Sequence, residues 1–233
     1  MFDPAGYHAL TEQQASLVRE VSKYTETYFQ DPKFDASHDY AHVLRVTAIA
    51  IRILEKEQQR VKSIGGLQYD ALTVVLSALM HDIDDKKYQA GQSGAVPQAQ
   101  QELIRLGLDH HQAGKIQALI DGVSYTSEVK NPQRVRDLLI TVPELAIVQD
   151  ADRLDAIGAI GIGRCFAYGA AKTSRDLDGT MEHFDEKLLK LEAMMKTETG
   201  RQLGAEYASR LRQFKSWWQQ EIAFAGGLPQ QAL

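Results

Sequence analysis

The sequence predicts an all-α protein, and three observations support this fold class. Apolar side chains recur at helical spacing along most of the chain, and no alternating strand pattern lasts more than a few residues. Signals for helix starts are frequent: Thr11 and Gln14 form a capping-box pattern, and Pro97, Pro132 and Pro143 each precede an apolar-periodic segment. The chain has 233 residues, of which 44% are hydrophobic, and this is enough to bury a sizeable core.

In the N-terminal half, these signals predict three helices. The first begins after Thr11 and ends at Asp31-Pro32, where proline cannot continue a helix. The second is expected to begin after a cap at Ser37 and to run to about Gln59, before a Gly-Gly pair. Asp70 caps the third, whose residues are apolar on most sides. A helix of this kind is expected at the centre of the fold.

In the rest of the chain, prolines and glycines mark the boundaries of the predicted helices. One helix runs from Pro97 to Gly107, and a shorter one ends at Gly122. Another runs from Pro143 to near Gly158, and a further segment continues to residue 169. The last two helices are expected over residues 181–197 and 200–224.

Composition and charge exclude several classes of protein. The formal net charge is −5 and the charges are well mixed, so no basic footprint for nucleic acid is present. Cys165 is the only cysteine and cannot form an internal disulfide, which favours a reducing compartment. No apolar stretch approaches the roughly 20 residues of a membrane span, and residues 1–10 do not resemble a signal peptide. We therefore expect a cytoplasmic protein without membrane or nucleic-acid partners.

Four residues with metal-binding side chains stand where helices should bury apolar groups. His42 shares a face with apolar residues of the second helix, and His81 and Asp82 close the most apolar helix of the chain. Asp152 lies on the apolar face of the helix from Pro143, a face that it shares with Asp155. An ionised carboxylate in an apolar setting is costly unless it is paired or bound to metal. A common explanation is that His42, His81, Asp82 and Asp152 converge on one cation.

The donor set indicates the kind of metal. Two imidazoles and two carboxylates suit a divalent ion, namely Mn, Mg, Fe, Co, Ni or Zn, and we favour Mn or Mg. A buried histidine often does no more than make a core hydrogen bond, and a buried aspartate often caps a helix. The metal hypothesis therefore depends on the order and context of all four residues rather than on any one of them.

Four segments of the chain carry a family resemblance: SHDYAHVLRV, ALMHDIDDKKY, IVQDADRLDAIGAIGIGR and HFDEKLLKLEAMMKTETGRQL. They resemble the HD-domain superfamily of metal-dependent phosphohydrolases, and in particular its YedJ/YpgQ-like branch, from about His38 to Leu203. The resemblance implies an HD-domain helical bundle with additional C-terminal helices. Residues 1–175 would form the metal-binding core, and residues 176–233 a helical extension that packs on it.

The resemblance also implies roles for individual residues. The four residues above would be the metal ligands, and Asp85 would orient or deprotonate water as a general base. Phosphate requires cations, and several cationic side chains lie near the motifs; the substrate-binding candidates are His38, Lys86, Lys87, Arg153, His183, Lys187 and Lys190. His183, Lys187 and Lys190 are spaced for one helical face. A solvated surface is the alternative for each lysine, and a structural cap is the alternative for His38.

The predicted function is hydrolysis of a phosphate ester or anhydride of a small molecule, and the family resemblance implies a nucleoside triphosphate cleaved to monophosphate and pyrophosphate. A nucleotide monophosphatase, a cyclic phosphodiesterase and a non-catalytic metal- or nucleotide-binding module are alternatives. A zinc peptidase that uses His38 and His42 is a further rival. One metal ion is expected, because the segment IDGVSYTS lacks the extra histidine of many HD relatives, and His110 and His111 are predicted in a loop. Apolar residues near the C-terminus are compatible with a homodimer; these are Trp217, Trp218 and Phe224.

Overall fold

A computed structural model describes residues 2–4, 9–32, 34, 39–66, 68–83, 97–173 and 175–226. Over these ranges the chain forms helices and turns without a strand, which confirms the all-α prediction. The α-helices are α1 (Glu12–Tyr28), α2 (Tyr40–Ile64), α3 (Ala71–Met80), α4 (Gln98–Arg105), α5 (His110–Val123), α6 (Tyr125–Lys130), α7 (Pro132–Thr141), α8 (Glu144–Asp155), α9 (Gly158–Tyr168), α10 (Leu177–Glu186) and α11 (Glu198–Gly226).

Side-chain caps set the starts of the first three helices. The predicted capping box of α1 is present: Gln14 N donates to Thr11 Oγ1 at 3.3 Å, and Thr11 N donates to Gln14 Oε1 at 2.9 Å. Asp39 caps α2 by accepting a hydrogen bond from the third residue of the helix, and the expected cap Ser37 lies outside the described residues. The end of α2 is also later than the predicted Gln59, because helical geometry persists until Gly65 at φ 75°.

The third helix lies at the centre of the fold, as predicted. Every residue of α3 is buried, and it packs against α1, α2, α5 and α8. Its start is closed by Asp70, whose carboxylate accepts a hydrogen bond from Thr73 N at 2.9 Å. Because α3 is surrounded on all sides, the residues that directly follow it are held against the neighbouring helices.

Two buried carboxylates hold the start of α11 against the rest of the chain. Asp150 of α8 accepts hydrogen bonds from Lys196 N at 2.8 Å, from Thr197 N at 2.7 Å and from Thr197 Oγ1 at 2.7 Å. Glu57 of α2 accepts from Thr199 N at 2.8 Å and from Thr199 Oγ1 at 2.7 Å. Backbone N–H groups at a helix start have no partner within the helix, so both carboxylates satisfy otherwise open donors.

A glycine is required where α11 meets Asp150. A Cβ atom added at Gly200 would lie 2.1 Å from Asp150 Oδ2, which is far inside van der Waals contact. Beyond this point α11 packs against α9, α8 and α2. The chain after residue 175 therefore contacts the helices that precede it, while the predicted division at residue 175 stays a prediction.

The predicted helix over 181–197 is wrong. The tenth helix ends at Glu186, and Lys187 leaves helical geometry at φ −136°. Two 3₁₀ turns follow, Leu188–Lys190 and Glu192–Met194, and the apolar side chains of Leu188 and Leu191 are buried by this change of direction. Across the described ranges, no helix combines the length and the apolar character needed to cross a membrane.

Candidate metal centre

The two histidines of the predicted site meet in the core. His42 lies in the first turn of α2, and His81 directly follows the buried helix α3. Both side chains are 1% exposed. Their Nε2 atoms lie 3.2 Å apart, and the rings are nearly perpendicular, with an interplanar angle of 75°.

Two carboxylates approach the same point. Asp82 Oδ2 lies 3.4 Å from the Nε2 atom of each histidine. Asp152, from α8, places Oδ1 at 3.5 Å from Nε2 of His42 and at 3.8 Å from Nε2 of His81. The side chains of Asp82 and Asp152 are 17% and 28% exposed, so the carboxylates lie on the solvent-accessible side of the cluster and the histidines on its inner side.

The separations fit a single bound cation. Metal–ligand bonds of about 2.1 Å place neighbouring ligand atoms about 3.0 Å apart in octahedral geometry and about 3.4 Å apart in tetrahedral geometry. The five separations given above run from 3.2 to 3.8 Å, so all exceed the octahedral value and they bracket the tetrahedral one. Within the described part of the chain, the ligand atoms of His42, His81 and Asp82 also all lie within 4.8 Å of one another, as a shared cation requires.

Hydrogen bonds at the opposite ring nitrogens indicate the tautomers. His81 Nδ1 lies 2.9 Å from the carbonyl oxygen of Ala78, which can only accept, so Nδ1 carries the proton. His42 Nδ1 lies 2.8 Å from Asp155 Oδ2, and an ionised carboxylate likewise only accepts. In the neutral rings, both Nε2 atoms therefore present lone pairs to each other, an arrangement that a shared cation would stabilise.

Asp155 is a site residue that the sequence placed on the right face but did not assign. Its side chain is 2% exposed and is surrounded by cationic groups from α2 and α9. Arg45 Nε donates to Oδ1 at 2.7 Å, and Arg164 donates to Oδ2 at 2.9 Å. Gly158, at φ 72°, begins α9 after a gap of two residues from the end of α8, and Arg164 follows within α9.

The electrostatics of this group keep Asp155 ionised. Burial opposes ionisation, but the hydrogen bonds to His42 and Arg45 outweigh it and hold the pKa of Asp155 well below its usual range. Burial of the His42 ring disfavours its charged form, while hydrogen bonds to Asp155 and Asp82 act more strongly in the opposite sense, so the pKa of His42 is raised. The carboxylates of Asp155 and Asp82 thus favour positive charge at the His42 ring.

The predicted role of Arg153 in substrate binding does not fit its position. Its side chain is 2% exposed and forms an ion pair with Glu128. It also donates from NH1 to the carbonyl oxygen of Met194 at 2.8 Å. The guanidinium therefore lies inside the protein, between α8, α6 and the segment before α11, and connects these parts of the fold.

The expected face of His183, Lys187 and Lys190 is not continuous, because the helix ends before Lys187. His183 is partly buried and forms a hydrogen bond with Glu186 through Nδ1 at 3.1 Å. Burial lowers the pKa of His183. The nearby charges of Arg175 and Lys187 also lower this pKa, whereas the hydrogen bond to Glu186 raises it. The Lys187 ammonium lies 5.2 Å from the centre of the Tyr125 ring, and Lys190 is exposed.

Several predicted residues lie outside the described ranges: His38, Asp85, Lys86 and Lys87. His110 and His111 are described, and the predicted loop there is wrong, because they form the first turn of α5 after its cap, Asp109. Both histidines are exposed. The loop prediction overlooked Asp109, a residue type that favours the N-cap position and that here starts α5.

Comparison with known proteins places the chain in a family. YpgQ of Bacillus subtilis is 33% identical over 190 residues, which are 80% of this chain and 85% of YpgQ. An HD-superfamily hydrolase from Bacillus thuringiensis has the same fold, with a TM-score of 0.62 and 25% identity over 90% of this chain and 98% of that one. The chain belongs to the YpgQ-like branch of the HD-domain superfamily.

Solved structures extend the likeness of this HD-domain chain. The crystal structure of Bacillus subtilis YpgQ in complex with ADP has a TM-score of 0.69 and 28% identity, over 90% of this chain and 96% of YpgQ. No protein-family model matches the chain. The comparisons support a hydrolase family for this HD-domain chain, and its His/Asp cluster is compatible with a divalent metal.

Proposed function

We propose that the chain is a metal-dependent phosphohydrolase that acts on nucleotides, of the type that cleaves a nucleoside triphosphate to monophosphate and pyrophosphate. The observation that carries this proposal is the convergence of two Nε2 lone pairs and two carboxylates on one point. Nucleotide as the substrate class is supported by the ADP complex of the related YpgQ.

The proposed metal ligands are His42, His81, Asp82 and Asp152. When bound, a divalent cation supplies polarisation of a phosphoryl oxygen and lowers the pKa of water. The carboxylates of Asp82 and Asp152 lie on the more exposed side of the cluster, so substrate would approach from that side. Mn²⁺ or Mg²⁺ suits this mixed donor set and the phosphate substrate.

Other residues of the chain are proposed to handle water and phosphate. Asp85 follows the His81–Asp82 pair closely, and we assign to it the orientation of the attacking water. Lys86 and Lys87 follow Asp85 directly and would neutralise charge that develops on the phosphoryl oxygens. His38, which precedes α2 in the sequence, is proposed to contact substrate.

A second cationic region is proposed to bind the distal phosphates. Burial and the nearby charges of Arg175 and Lys187 lower the pKa of His183, so two cationic side chains lie beside an imidazole whose neutral form is favoured. Concentrated cationic side chains stabilise phosphate through charge-assisted hydrogen bonds. Lys190 is exposed at the end of the following turn and extends this region.

Product analysis by phosphorus NMR tests the proposal. Nucleoside triphosphates, monophosphates and cyclic nucleotides would be incubated with manganese-loaded protein. Pyrophosphate from a triphosphate, absent in Asp82→Ala and present in Asp109→Ala, is the expected result. Asp109 is the matched control, because it is an exposed aspartate whose carboxylate caps α5. Orthophosphate from a monophosphate, or a monophosphate from a cyclic nucleotide, would replace the proposed substrate with one of the alternatives.

Absence of turnover with metal still bound would contradict a nucleotide hydrolase and favour the binding module. The zinc-peptidase alternative is tested in the same protein by metal content. It requires that His38→Ala abolishes metal binding while Asp152→Ala preserves it, and the present proposal requires that Asp152→Ala abolishes binding.

A further inference from the structure

We infer that Asp155 is a positioning residue that selects the tautomer of His42 and so directs its Nε2 lone pair at the cation; this inference rests on the proposed metal centre. Asp155 is the last residue of α8, and His42 lies in the first turn of α2. Their contact, from Nδ1 to Oδ2 at 2.8 Å, joins residues that are 113 positions apart in the chain.

The two arginines around Asp155 determine which partner donates. Arg45 donates to both carboxylate oxygens, from Nε to Oδ1 at 2.7 Å and from NH2 to Oδ2 at 3.1 Å. Arg164 adds a hydrogen bond to Oδ2 at 2.9 Å. Two guanidinium groups beside one buried carboxylate strongly favour its ionised form, which has no proton to give. The proton between Asp155 and His42 therefore belongs to Nδ1 of the ring.

The two histidines differ in the acceptor that orients the ring. The ring of His81 is oriented by the carbonyl oxygen of Ala78, one turn earlier in the same helical segment, so its tautomer follows from local structure. His42 depends instead on a side chain from another helix. Asp155 lies three residues after Asp152, so one helix supplies a proposed ligand and also the group that orients a second ligand. Partners of this kind typically contribute a factor of about 10–100 to metal affinity.

Two substitutions separate acceptance of the hydrogen bond from packing. Asp155→Ala removes the carboxylate that accepts from Nδ1, and the ring is free to carry its proton on Nε2. In Asp155→Asn, the amide oxygen can take the place of Oδ2, where it accepts from His42 and both arginines. The amide nitrogen then faces only Nε of Arg45. Asparagine should thus preserve the tautomer that alanine loses.

The control is a buried carboxylate on α2 that does not contact His42. Glu57 accepts its hydrogen bonds from Thr199 and Arg60, so Glu57→Gln tests the loss of a buried charge without a change at the metal centre. Its melting temperature is expected to fall, while its metal affinity stays within about twofold of the wild type.

The deciding experiment is long-range proton–nitrogen NMR of the imidazoles at alkaline pH, together with manganese titration calorimetry. We expect His42 of the wild type to carry its proton on Nδ1. Asp155→Asn should retain this tautomer with less than a tenfold loss of manganese affinity. Asp155→Ala should carry the proton on Nε2 and lose about 10–100-fold in manganese affinity. A wild-type Nε2–H tautomer would overturn the inference whether or not the variants fold. An Asp155→Ala protein with unchanged tautomer and affinity would overturn it as well.

Neither readout uses a substrate, so the inference and the proposed function fail separately. A protein that binds manganese without hydrolysing any nucleotide refutes the proposed activity, and the tautomer comparison still decides the role of Asp155. A protein that hydrolyses nucleotide with His42 protonated on Nε2 refutes the role of Asp155 alone.

Discussion

Asp150→Ala tests how much the hydrogen bonds between α8 and the start of the C-terminal helix stabilise the fold. The substitution removes the acceptor of three hydrogen bonds, from Lys196 N, Thr197 N and Thr197 Oγ1. Each hydrogen bond to a charged acceptor contributes about 1.5–3 kcal/mol, which sums to about 5–9 kcal/mol. Burial, however, raises the pKa of Asp150 despite these hydrogen bonds, so desolvation of the carboxylate offsets a large part of their energy. We expect the free energy of unfolding to fall by about 2–4 kcal/mol.

Thermal and urea unfolding, followed by far-ultraviolet circular dichroism, measure this loss. For a chain of this length, 1 kcal/mol corresponds to about 2–4 °C, so the melting temperature should fall by about 5–15 °C. The folded variant should still bind manganese with wild-type stoichiometry, because Asp150 is hydrogen-bonded to the segment before α11 rather than to His42 or His81. An unchanged melting temperature would refute the anchoring role, and loss of metal from a folded variant would refute the division of roles along α8.

Three further outcomes are expected. Asp152→Ala should lose bound metal in elemental analysis and keep its helix content, whereas Asp109→Ala should retain the metal. Gly200→Ala should lower the free energy of unfolding by about 1–3 kcal/mol in urea titration, because the new Cβ overlaps Asp150 Oδ2; unchanged stability would contradict the close packing. Burial disfavours ionisation of Glu57, but hydrogen bonds from Thr199 and Arg60 outweigh it, and its pKa is lowered. The ionised group therefore stabilises the fold fully above the ordinary glutamate pKa of about 4.3, and this contribution is lost as the pH falls through the lowered value. Glu57→Gln should weaken the acid dependence of the melting temperature, and an equally steep dependence would argue against Glu57 as a source.

The helices that carry the proposed ligands could be predicted because their signals are local. An almost wholly apolar segment after Asp70 identified α3 as central, and this placed His81 and Asp82 at its buried end. Helical spacing put Asp152 and Asp155 on one face of α8. These patterns depend only on the 3.6-residue period and on capping chemistry, both of which are properties of short stretches of sequence.

The partners of those residues could not be predicted in the same way. Periodicity shows which face of a helix is buried but not which helix lies opposite, so the pairing of Asp155 with Arg45 and Arg164 was not apparent. Arg153 was misjudged for the same reason, because its neighbours Glu128 and Met194 belong to other elements. The break at Lys187 was missed because burial of the apolar residues that follow outweighed the helical propensity of the segment.

Helix α8 makes polar contacts on two sides, and these contacts affect the order in which the chain folds during synthesis. Asp150 and Arg153 bind the chain at residues 194–197, while Asp152 and Asp155 face the histidines. One residue corresponds to a rotation of about 100° around a helix axis, so the contacts to residues 194–197 help to set the direction of the Asp152 and Asp155 carboxylates. These contacts can form only after residue 197 has left the ribosome. A nascent chain arrested before Met194 should therefore bind manganese more weakly than the finished protein, and the proposed metal centre would be among the last parts of the molecule to reach its final geometry.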